Sequence, residues 1–159
     1  MALLLTLTQQ PFLAKDLGEN WRMVYPDIVE QVSDRYWASV DLIDSVPREA
    51  IKALKNIVEI CGNGHIDAIL DLGFLYNENK KPIEGNALIH KAHLIALDAL
   101  PKDFSFEKER IRWSELDNRP FLRTFHHVGL ELMKEGKIEA AIEKFEFLLK
   151  VNPNDNQCV

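Results

Sequence analysis

Three groups of side chains carry types and spacings that chemistry uses. His90 and His93 stand three residues apart, which puts two imidazoles on one helical face, as zinc ligands often stand. His126 and His127 are adjacent, so on a helix they point about 100° apart and do not readily chelate one ion. Cys61 and His65 bracket the stretch CGNGH, a pairing from which a thiolate nucleophile can be built. Each group lacks its complement. No cysteine or carboxylate at suitable spacing completes a ligand set for His90 and His93. No orienting group accompanies Cys61, and Gly62-Asn63-Gly64 suits a plain helix-ending turn. The chain has no Walker loop, no GxGxxG and no HExxH. A protein without catalytic residues, metal or cofactor is therefore expected. The rival is a metal-dependent regulator or small enzyme using His90, His93, His126 or His127.

The bulk of the chain sets further bounds. Its 159 residues are 47% hydrophobic, enough to build the core of one domain. The formal net charge is -6, which disfavours nucleic acid and anionic membranes, because both select a basic face. Two cysteines, Cys61 and Cys158, make no disulfide framework and suit a reducing compartment. The opening MALLLTLTQQP is too short to span a bilayer and lacks the positive start of a secretory signal. A cytoplasmic protein is expected.

The elements that must position these side chains read as helices. Ile28, Val32, Tyr36 and Val40 recur at fourth positions after Pro26, predicting a helix to Ser45. Pro47 opens a second helix, with Ile51, Leu54 and Val58 on one face, and the Gly-Asn-Gly turn ends it after Cys61. A third carries Ile66, Ile69, Leu72, Gly73 and Tyr76, and a fourth runs from Ile83 to Leu100. The stretch 102–118 is irregular, with a short helix predicted over Glu107–Trp113. Two more helices are predicted over Pro120–Lys134 and Ile138–Val151, joined at Glu135-Gly136. Charge-rich runs such as FEKERIR read as solvated faces, with Glu146 and Lys150 a modest i, i+4 pair. No segment reads as a strand. The expected class is all-α, with about seven helices paired as antiparallel hairpins in one continuous domain spanning 1–159.

A repeat underlies the pairing. Count Leu122 as the first residue of a unit of about 34 residues. Phe125, Val128, Gly129 and Leu132 then fall at positions four, seven, eight and eleven, and Gly136 at fifteen. Ala141, Phe145 and Pro153 follow at twenty, twenty-four and thirty-two, with LKVNPND closing the unit. This pattern resembles the tetratricopeptide repeat, departing from it at Leu148, where that family usually has alanine. A weaker copy over 66–101 has Ile69, Leu72, Gly73 and Tyr76, then Gly85, Ile89 and Ala92, with a late Pro101. Residues 26–61 read as a degenerate pair, 102–118 as an insert and 1–22 as an N-terminal arm. The glycines have a physical reading of their own. Gly in mid-helix costs about 0.5–1 kcal/mol against alanine, so glycines at matching positions point to close helix crossing.

The resemblance implies a short α-solenoid with right-handed superhelical twist, acting as a non-enzymatic protein-interaction or scaffold module. It places Asp67, Leu70, Asp71, Phe74, Asn77 and Glu78 on a concave groove, together with Arg123, His126, His127, Leu130, Met133 and Lys134. It makes Gly73, Tyr76, Gly85, Ala92, Gly129, Leu132, Ala141, Phe145 and Pro153 the packing residues. Relatives that clamp a C-terminal carboxylate use lysine and asparagine where this chain has Leu70, Phe74, His126 and Leu130. A peptide or helix with apolar anchors is therefore the expected ligand, the alternative being that the N-terminal arm or a second copy of the chain covers this face. The last helix carries Ile142, Phe145, Leu148 and Leu149 with nothing after it to cover them fully, so either the chain is a fragment or its end packs against another molecule, and homodimerisation or end-to-end association is expected. A purely structural dimerisation module is the third reading.

Overall fold

The computed structural model describes residues 10–154, so the opening apolar run up to residue 9 and Cys158 lie outside the described residues. The described chain is mostly helical, with one small sheet. Its elements are β1 (Phe12–Lys15), β2 (Trp21–Val24), α1 (Asp27–Gln31), α2 (Ser33–Val40), α3 (Pro47–Cys61), α4 (Ile66–Glu78), α5 (Pro82–Asp98), α6 (Arg119–Lys134) and α7 (Ile138–Val151). Seven helices are present among the described residues, but they are not the seven predicted. The expected helix from Pro26 to Ser45 breaks at Val32 into α1 and α2 and ends at Val40. The expected helix over Glu107–Trp113 does not form.

The absence of strands is also corrected. Two four-residue strands pair antiparallel, Leu13 opposite Met23 and Lys15 opposite Trp21. Their alternation buries Leu13, Trp21 and Met23 and exposes Arg22 and Val24. Strands this short give little periodic signal, and the bonds on their outer edges reach residues remote in sequence. The Trp21 N–H donates to the Arg110 carbonyl at 2.8 Å, and the Arg110 N–H to the Glu19 carbonyl at 2.7 Å. The Ile111 N–H donates to the Val151 carbonyl at 3.0 Å. Residues 110–111 are thus held extended by outside partners, and this overrides their local helical pattern.

Contacts divide the described chain into two compact units, one containing residues 25–95 and the other combining 12–24 with 96–154. In the first, Val32, Tyr36, Leu54, Ile57, Leu72 and Leu75 form the core that α2, α3 and α4 share. Gly73 and Gly85 let α4 and α5 meet backbone to backbone: a Cβ on Gly85 would stand 2.6 Å from the Gly73 carbonyl oxygen.

In the second unit, α6 and α7 form a hairpin. A Cβ on Gly129 would lie 2.6 Å from the Phe145 ring, so this glycine makes room for an aromatic face, and Ala141 on α7 is fully buried. Phe125 stacks on Phe147 at 4.1 Å between centroids, which locks the other side of the same hairpin. Asn118 ties the sheet to the start of α6. Its Oδ1 accepts from the Met23 N–H at 2.8 Å, and its Nδ2 donates to the Trp21 and Arg112 carbonyls at 3.0 and 3.2 Å. It is completely buried, and the Met23 N–H and Trp21 carbonyl that it satisfies are buried with it.

Candidate functional site

The twelve groove positions fall six on α4 and six on α6, one set in each unit. On α4 the buried face is wider than the repeat register implies. Leu70 is only 1% exposed and Asp67 is buried as well, so neither lines an open surface. Both lie in the run Ile66–Leu70, which is buried at every position because α4 begins inside the unit. Asp71, Phe74 and Asn77 are half-buried and Glu78 is exposed. Asn77 is committed locally, its Nδ2 donating to Asn86 Oδ1 at 2.9 Å.

Asp71 belongs to a polar cluster that sequence spacing did not reveal. The Tyr36 hydroxyl donates to Asp71 Oδ2 at 2.8 Å, and the Tyr36 ring lies 4.5 Å from the imidazole of His65. His65 caps α4, its Nδ1 accepting the Ala68 N–H at 3.2 Å. Burial pushes its pKa down to about 4, against a smaller opposing effect of a backbone hydrogen bond. The imidazole is therefore neutral, and its proton is on Nε2. The available sequence signal was His65 immediately before an apolar helical run. Its partner Tyr36 is on another helix, and no spacing rule joins them.

On α6 the six positions present a mixed face. Leu130 and Met133 are apolar and exposed, Arg123, His126 and His127 are half-buried, and Lys134 pairs with Glu131 at 2.7 Å. The rings of His126 and His127 stack with centroids 5.6 Å apart, and His126 meets Phe145 edge-on at 6.1 Å. Burial, then the neighbouring His126, Arg123 and Lys134, lowers the His127 pKa to about 4. The amphipathic pattern of α6 follows from its sequence: Phe121, Leu122, Phe125 and Val128 turn inward, and Leu130 and Met133 lie off that stripe.

The other chemical candidates separate. His90 is exposed while His93 is buried, so the pair does not present two imidazoles to one opening. Cys61 is fully buried, and burial raises its thiol pKa, away from the thiolate that nucleophilic attack requires. Among the described residues no group of three or more His, Cys, Asp and Glu side chains could hold a metal ion. No helix among them is long and apolar enough to cross a membrane.

One further surface escaped the sequence reading. In the first unit an apolar groove of about 420 Å³ runs between α3 and α5, lined by Val58, Leu72, Tyr76, Ala87 and Leu88 with Lys55, Glu59 and Glu84 around it. Its residues come from three helices and share no single period. No family model, curated protein or solved structure matches the chain.

Proposed function

We propose that this chain is a non-enzymatic protein-recognition module built from tetratricopeptide-like helical hairpins. The observation that carries the reading is the outer face of α6. Leu130 and Met133 stand exposed on a rigid helix whose opposite face is locked by Phe121, Phe125 and Val128. Arg123 and Lys134 stand beside these apolar anchors. A preformed apolar strip edged by charge is the arrangement that receives an amphipathic peptide or helix. Close approach at Gly73–Gly85 and at Gly129–Phe145 supports the hairpin register on which the repeat reading rests. Of the α4 positions only Asp71, Phe74, Asn77 and Glu78 are not buried, since Asp67 and Leu70 are.

Panning a displayed library of amphipathic peptides against the purified protein tests this reading. Enriched peptides should lose binding to Leu130→Glu and weaken with His126→Ala, while helical circular dichroism stays unchanged. Peptides that bind both variants as well as the parent would eliminate the assigned face.

A further inference from the structure

We propose that the exposed face of the α6–α7 hairpin is filled by a second copy of this chain, paired about a twofold axis parallel to the helices. The inference rests on the reading of α6 as a recognition face and names its occupant. Leu130, Met133, Ile138, Ile142, Phe145 and Leu149 form the face, and all but the half-buried Phe145 are exposed, Met133 and Ile142 each at 49%. On α7 the spacing of Ile138, Ile142, Phe145 and Leu149 is a four-three-four stripe, the seam along which helices pair. The five exposed side chains present on the order of 400 Å² of apolar surface, within the range of the largest patch on an ordinary monomer and a size that often marks a functional surface. That is about half of the roughly 800 Å² that each partner brings to a stable interface, with the charged edges left to supply the rest.

Those edges select a second copy. At about 100° per residue, the far edge of α6 carries Arg123 and Lys134 with the neutral His127 and with Glu131, which pairs with Lys134 at 2.7 Å, a net positive edge; the far edge of α7 carries Glu139, Glu143 and Glu146, with Lys150 at its end, a net negative one. One side of the face is basic and the other acidic. A twofold axis along the helices lays α6 of each copy over α7 of the other, so each basic edge meets an acidic one. Gly129 and Phe145 lie level across the hairpin, and the axis preserves that level. Met133 then faces Ile138 and Ile142 of the second copy, Leu130 enters between its Ile142 and Phe145, and Lys134 reaches its Glu139. A twofold axis across the helices would instead lay α7 on α7 and set Glu139 against Glu146.

Sedimentation equilibrium across micromolar concentrations tests the proposal. The parent should be dimeric, and Ile142→Glu should be monomeric with unchanged helical circular dichroism. Lys134→Glu should weaken the dimer about tenfold, because a twofold interface contains each pair twice. Adding Glu139→Lys to Lys134→Glu should restore it. A monomeric parent overturns the proposal, as does a dimeric Ile142→Glu, and failure of the double swap overturns the twofold arrangement. A monomeric parent that still selects Leu130-dependent peptides refutes the second copy but leaves the recognition reading standing. A monomeric parent that selects none refutes both.

Discussion

Replacing Gly85 by alanine tests the close approach of α4 and α5 most directly. The added Cβ would lie 2.6 Å from the Gly73 carbonyl oxygen and on top of the Asn77 side-chain amide. Asn77 can turn away, but it then gives up its 2.9 Å bond to Asn86, a loss of about 1 kcal/mol. The Gly73 carbonyl cannot turn away. It sits in mid-helix, so the two helix backbones must separate by about half an ångström or more, an overpacking cost of about 1–3 kcal/mol. Alanine returns about 0.5–1 kcal/mol through helix propensity. The net expectation is a loss of about 1–3 kcal/mol in urea unfolding followed by circular dichroism. Gly129→Ala is the matched control. Its Cβ would meet only Phe145 ring atoms, at 2.6 and 2.8 Å, and a ring at the end of a side chain can tilt. Its stability should fall within about 1 kcal/mol of the parent. Equal effects at the two glycines, or an undamaged Gly85→Ala, would refute the distinction between backbone and side-chain contact.

Two further predictions concern buried polar groups. His65 and His127 are held neutral in the fold, with pKa values lowered to about 4, whereas the unfolded chain protonates near 6.5. Protons therefore favour unfolding as pH falls through about 6.5 towards 4, and between pH 7 and pH 5 each histidine should remove about 2 kcal/mol, measured by urea unfolding at both pH values. His65→Asn, which can still cap α4 but does not titrate, should remove about half of that dependence. Asn118→Ala should cost about 2–4 kcal/mol, because it strands the buried Met23 N–H and two carbonyls. Chemical unfolding followed by tryptophan fluorescence reads this through Trp21, and an unchanged midpoint would deny Asn118 its tying role.

Which features were legible in the sequence depended on where their determinants lie. The helix α7 was bounded correctly at Ile138 and Val151, because its apolar period, the Gly136 turn and Pro153 are all local. The contact of Gly73 with Gly85 followed from two small residues at matching hairpin positions. The strands were illegible because four residues carry barely one alternation, and because Trp21 bonds to Arg110, far along the chain. The same remote bonds erased the helix expected over Glu107–Trp113. At the site, the exposure of Leu130 and Met133 could be read from the α6 stripe alone. The burial of Leu70 and Asp67 could not, because neighbouring elements cover a face that the helical period leaves open. Tyr36, His65 and Asp71 meet only through the fold, from two helices and the turn before α4.

The sheet carries a consequence for how the chain comes off the ribosome. Residues 25–95 are contiguous and can complete their contacts as they emerge. The β1–β2 hairpin is made earlier but belongs with 96–154. Lys15 waits for Glu109, Met23 for Asn118 and Leu13 for Ala99, each more than eighty residues later in synthesis. For that interval Leu13, Trp21 and Met23 lack their native cover, beside strand edges open to pairing. This nascent hairpin is the segment for which a holding chaperone has most to protect, and its docking has the long loop closure that slows folding.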